Sequence, residues 1–226
     1  SVTDDAQISG WLARLAQPPR VVAVDAPLIV PNDTGQRRAE RLMARTFGRY
    51  GASAHSANRS LLGDDPRAMR LARRYGWTVD PHARPDDGRT VCIEVYPHPA
   101  LISLFDLPYR LAYKKGIVAE RLPAFMTLMD LLETIGELRL TSHPRWQHIR
   151  EAVDARRPGV LTRYEDEVDG IVCAHLAWLW ERKPESLYVY GSLDEGYLLW
   201  PLLDGTTTGP EVRLPSNRAA LVSFLD

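Results

Sequence analysis

Apolar residues recur along this chain in two periods. Ile8, Trp11, Leu12 and Leu15 fall at helical spacing, behind Asp4 as an N-cap with Gln7 three residues on. Pro18-Pro19 ends that helix. Val21-Val22-Ala23-Val24 is a β-branched run without polar alternation, the pattern of a strand buried on both faces, and Asp25 follows it directly. After a polar loop over 28–36, Ala39, Leu42, Met43 and Phe47 predict a helix from Gln36 to Phe47. Residues 48–63 read as a long loop. Asp64-Asp65-Pro66 opens another helix, lined by Met69, Ala72 and Tyr75 and closed by Gly76.

Val91-Cys92-Ile93-Glu94-Val95-Tyr96 is the second strand, stopped by Pro97, and a short helix over 99–105 follows. Leu122, Phe125, Met126, Met129 and Leu132 mark a helix from Glu120 to Leu140. Pro144 starts the next, carried by Trp146, Ile149 and Val153 and broken at Arg156-Arg157-Pro158-Gly159. Val168, Ile171, Val172, Leu176 and Leu179 form the apolar face of a helix from Glu165 to Arg182. The segment 187–200 reads as a β-hairpin turning around Asp194-Glu195-Gly196. The whole predicts one α/β domain over 1–226, with helical insertions near 36–76 and 120–156.

Composition adds little beyond an ordinary globular class: 226 residues, 45% hydrophobic and 25% charged, with a net charge of −1. Two cysteines, Cys92 and Cys173, are too few for a disulfide scaffold or a thiolate zinc site. Ser1-Val2-Thr3-Asp4-Asp5 lacks the marks of a signal peptide, and no apolar run reaches the ~18 residues of a membrane span. The expectation is a cytoplasmic protein without a membrane partner. Arginine supplies 25 of the 28 basic residues, a usage that fits a GC-rich genome as well as oxyanion recognition. Charge is unevenly spread: 37–89 carries a net +6 and 160–211 a net −7.

Three carboxylates stand out by placement. Asp25 ends an apolar strand, Glu94 sits within the second strand, and Asp169 shares a helical stripe with Val172, Cys173 and Leu176. Each has a plain structural alternative. Asp25 could bond turn amides, Glu94 could pair with an arginine of the 37–74 helices, and Asp169 could be a helix N-terminal acid. Together they are the hard oxygen ligands that magnesium prefers. Two such ions, about 3.5–4 Å apart, can activate water against a phosphodiester. Arg38, Arg41 and Arg45 share one helix face, and Arg67, Arg70 and Arg74 repeat the spacing; either stripe could hold phosphates or be a solvated surface. Lys114 and Lys115 could likewise meet a phosphate or lie in an exposed loop. There is no phosphate-loop, dinucleotide or nucleophile-elbow motif, and His55, His82, His98, His143, His148 and His175 show no metal-ligand spacing.

Several segments together resemble a known family: Val-Ala-Val-Asp-Ala-Pro-Leu at 22–28, Thr-Gly-Gln-Arg-Arg-Ala-Glu-Arg at 34–41, Ile-Glu-Val-Tyr-Pro at 93–97 and Asp-Glu-Val-Asp-Gly-Ile-Val-Cys-Ala at 166–174, with Tyr-Lys-Lys-Gly at 113–116. They resemble the domain-of-unknown-function 429 family, described as predicted nucleases of RNase H-like fold, over roughly residues 20–182. The resemblance implies a mixed sheet with flanking helices, and Mg2+ or Mn2+ held by Asp25, Glu94 and Asp169 for hydrolysis of nucleic acid. By their spacing and charge, Arg38, Arg41, Arg45, Lys114 and Lys115 are the candidate substrate contacts beside it. In that fold three antiparallel strands come first, and a Gly-x-Asp on the first supplies a central ligand. This chain starts at the helix after them, so the opening strands are expected to be missing here, with the free edge of Val21–Val24 covered by them or by a second copy in a homo-oligomer. The alternatives are a non-catalytic binding protein and a phosphate-handling enzyme acting on a small molecule.

Overall fold

The computed structural model describes residues 4–85 and 88–201; the end of the expected 1–226 domain lies outside the described residues. Two short parallel strands hold the centre: β1 (Val21–Val24) pairs in register with β2 (Val91–Glu94), Val21 opposite Val91 and Val24 opposite Glu94. On its other side β2 meets Thr78, and just past its end Val95 bridges Leu199. Leu199 belongs to an antiparallel hairpin, β3 (Leu187–Ser192) and β4 (Gly196–Pro201). Tyr197 fastens the two sheets together by donating to the carbonyls of Val79 (2.9 Å) and Cys92 (3.2 Å).

The helices in chain order are α1 (Asp5–Leu12), α2 (Arg38–Phe47), α3 (Arg59–Leu62), α4 (Arg67–Arg74), α5 (Pro97–Phe105), α6 (Val118–Glu133), α7 (Pro144–Asp154) and α8 (Val160–Arg182). α8 lies on β1 and also meets α5, α6 and α7, while α2 covers the hairpin. Periodicity explains both placements. Ala39, Leu42, Met43 and Phe47 form the buried side of α2, and Phe47 meets the Trp200 ring edge-on at 5.4 Å. Val168, Val172, Leu176 and Leu179 do the same for α8. Trp146, Trp180, Trp200, Tyr113, Tyr197, Phe47 and Phe125 are the bulkiest fully buried side chains, and burial of such rings supplies much of the driving force for folding.

The chain departs from its periodicity in several places. α1 has its Asp4 cap, with the side chain accepting from the Gln7 amide, but it stops at Leu12 and buries no residue. Its stripe is at most half-buried; the Ser9 hydroxyl bonds Tyr75, Asp5 pairs with Arg67, and Trp11 is 49% exposed. β1 is half-buried at all four positions, not buried on both faces. Among the described strands only β2 pairs with it, so one edge carries no neighbour. α2 starts two residues later than Gln36, and the expected loop over 48–63 contains a 3-10 turn at Gly48–Tyr50 as well as α3. α6 ends at Glu133, with two 3-10 turns before α7. α8 extends back to Val160, so Asp169 lies well inside a helix and the N-terminal-acid alternative does not hold. Among the described residues, no helix is long and apolar enough to cross a membrane.

Candidate active site

Parallel pairing brings the carboxyl ends of β1 and β2 together, so Asp25 and Glu94 emerge side by side, and α8 lays Asp169 against the same end. The three then meet different surroundings. Glu94 is 2% exposed and saturated: Arg37 donates to it through Nη1 (2.9 Å) and Nη2 (2.5 Å), and the Leu28 amide donates at 2.8 Å. Arg37 is itself held from the other side by Glu40, at 2.6 Å from Nε, and donates to the Ile29 carbonyl at 2.8 Å. The arginine alternative for Glu94 is therefore the one the chain builds. Burial pushes the Glu94 carboxyl up, against the pull of Arg37 and the Leu28 amide. Burial works against the Arg37 charge too, but its two carboxylates outweigh that and hold it more firmly protonated than usual.

Asp169 is also buried and engaged. The Tyr113 hydroxyl donates to Oδ1 at 2.6 Å, and the Lys114 ammonium pairs with Oδ2. Burial pushes this carboxyl up while Lys114 and Tyr113 pull it down. Asp25 differs: it is exposed to solvent on one side, and among the described residues none hydrogen-bonds its carboxylate. Protein crowding on its remaining sides, followed by the Asp169 charge, pushes its carboxyl up to about 6, against the pull of Lys114.

Asp25 borders a cavity of about 270 Å³ whose walls carry His55, Tyr96, His98, Arg110, Lys114 and Lys115. Past Asp25, His55 and Tyr96 it adjoins a second, of about 190 Å³, that reaches Arg37, Glu40 and Glu94. His98 lies between the rings of Tyr96 (5.8 Å) and Tyr113 (5.0 Å). Burial first, and then Lys114, Arg110, Lys115 and His55, push it down to about 4, so the imidazole is neutral at physiological pH. The result is a carboxylate that titrates near neutrality inside a cationic rim, a pairing suited to proton transfer beside a bound oxyanion.

Lys114 and Lys115 line the cavity that Asp25 borders, with Lys115 exposed. Arg38, Arg41 and Arg45 do not line either cavity. The apolar side of α2 faces the hairpin, which turns these three outward: Arg38 pairs with Glu195 at 3.4 Å, Arg41 donates to the Gln36 carbonyl and Arg45 is exposed. Of the second stripe, Arg67 pairs with Asp5 and Arg70 donates to the Asp65 carbonyl. The buried thiols are pushed up by desolvation, Cys92 to about 12, which suits packing rather than nucleophilic work. Arg37, His55, His98, Arg110 and Tyr113 escape a reading by spacing. Arg37 and Tyr113 leave a trace only inside the segments 34–41 and 113–116 that carry the family resemblance.

A divalent ion does not fit this donor set. Both Glu94 oxygens and Asp169 Oδ1 accept hydrogen bonds from the chain, and the Lys114 ammonium stands against Asp169 Oδ2, which has no hydrogen-bond partner, so Asp25 is the one open carboxylate of the three. Among the described residues, no group of three or more histidine, cysteine, aspartate or glutamate side chains is arranged to hold a metal. Magnesium would need several oxygens in near-octahedral array at about 2.0–2.1 Å.

No curated protein and no solved structure matches the chain. A family model does, over residues 3–193, a span that includes Asp25, Arg37, Glu94, Lys114 and Asp169. The chain belongs to the family described as "Protein of unknown function (DUF429)".

Proposed function

We propose that this protein is an RNase H-like hydrolase of phosphate esters, with the phosphodiester bonds of nucleic acid as its substrate class. The observation that carries the reading is Asp25, a solvent-reached carboxylate titrating near 6 beside Arg110, Lys114 and Lys115. Support for the fold comes from two parallel strands that end in acids under a long helix returning a third acid to them.

In this reading Arg110 and Lys115 take the non-bridging phosphate oxygens, with Lys114 deeper in the cavity. Ionised Asp25 accepts a proton from a water molecule as that water attacks phosphorus, and the bond to the leaving oxygen breaks. The fully buried Arg37–Glu94 pair acts indirectly. By binding the Leu28 amide and the Ile29 carbonyl, it fixes the turn that aims Asp25. General-base catalysis of this type contributes about 10²–10⁴-fold.

The test is product formation, followed by ³¹P NMR, from a single-stranded oligonucleotide, a duplex, a dinucleotide and a mononucleotide. Asp25→Asn should lower the rate by about 10²-fold or more. Equal rates for wild type and variant would refute the assignment. The cavity size favours a second reading: about 270 Å³ is just below the ~300–1,000 Å³ of small-molecule sites. Hydrolysis confined to the mononucleotide would select a small phosphorylated substrate.

A further inference from the structure

We propose that Lys114 is the resident cation of this acidic site and that its ammonium keeps divalent metal ions out. The inference is independent of the chemistry proposed for Asp25.

Lys114 pairs with Asp169, and Asp25 and Asp166 attract it from further out. Its side chain is 29% exposed, so it is part of the packed wall and not a free surface lysine. The chain around it is anchored to α8 at two points one turn apart. Tyr113, the preceding residue, is wholly buried and donates to Asp169 at 2.6 Å. Arg121 donates to the Tyr113 carbonyl at 3.0 Å and pairs with Glu165 at 2.7 Å. The ammonium is thereby delivered to Asp169 by a backbone that the same helix fixes. A divalent ion bridging Asp25 and Asp169 would have to expel this ammonium and leave a positive charge unpaired in a partly buried wall. Without Lys114, Asp169 keeps the Tyr113 hydroxyl on Oδ1 but loses the cation at Oδ2, which leaves it and Asp25 as two like charges that a divalent ion would neutralise.

The experiment is a Mn2+ titration followed by electron paramagnetic resonance, in which bound Mn2+ loses the free-ion signal. Wild type should bind no Mn2+ below millimolar concentration. Lys114→Met should bind one Mn2+ per chain at least tenfold more tightly, and adding Asp25→Asn should abolish that site. Lys114→Gln is a second vehicle that keeps a polar group at this position, and Lys114→Arg should exclude the ion as wild type does. One tight Mn2+ in wild type would overturn the proposal whatever the variants do. So would folded Lys114→Met or Lys114→Gln proteins that bind Mn2+ no better than wild type.

Discussion

The carboxyl of Asp25 titrates at about 6 in the folded protein, above its ordinary value of 3.8, because crowding and Asp169 disfavour its charge. The folded state thus holds this proton more tightly than the unfolded chain. Its contribution to stability is fully present below the ordinary carboxylate range and is lost as pH rises through about 6. Asp25→Asn should therefore raise the melting temperature at pH 7.5 and give no such gain at pH 4, as thermal melts at the two pH values would show. A substitution that stabilises the fold while reducing turnover marks a residue kept for chemistry. Asp25 was legible in the sequence because a charged residue directly after an apolar strand is conspicuous. His98 and Arg110 were not, since nothing in their spacing shows that they share a cavity with it.

At the scale of elements, the turn after β1 is held by a buried ion cluster and covered by the hairpin. Arg37→Met would leave Glu94 buried without its cation, and breaking such a pair costs about 3–5 kcal/mol. Urea denaturation should show that loss, and the double variant Arg37→Met with Glu94→Leu should recover part of it. Gly196, in the left-handed region at φ +78°, backs onto the same turn, and a Cβ there would lie 2.5 Å from the Ile29 carbonyl oxygen. Gly196→Ala should cost roughly 1–3 kcal/mol or more and lower turnover along with stability. Most helices were readable because each buries one apolar face, and the strands because they are short β-branched or aromatic runs between turn residues. The length of α8 was missed because Arg156-Arg157-Pro158-Gly159 reads as a break, although Leu161, Tyr164 and Val168 continue its buried stripe back towards Val160. Helix α1 and its Asp4 cap were read correctly, but it stops at Leu12, before Leu15 of the stripe, and buries no residue. A stripe states that a face could be covered, whereas tertiary contact decides whether it is.

Over the whole molecule, charge divides into a basic segment and an acidic one, yet the cations that count are few. The α2 arginines, which suggest a phosphate stripe by spacing, are turned outward by the burial of Phe47 and its neighbours. Changing Arg38, Arg41 and Arg45 together to alanine should leave oligonucleotide affinity within about twofold at moderate salt, whereas Arg110→Ala with Lys115→Ala should weaken it tenfold or more and flatten its salt dependence, read by fluorescence anisotropy. The central claim is that Asp25 transfers a proton while these cations hold a phosphate. The pH dependence of kcat/KM for phosphodiester hydrolysis tests it most directly, because it reports the free protein's essential base. We expect activity to rise with pH through an apparent pKa of about 6 and the rising limb to vanish in Asp25→Asn. A flat profile between pH 5 and 8, or an unaltered rising limb in the variant, would contradict it.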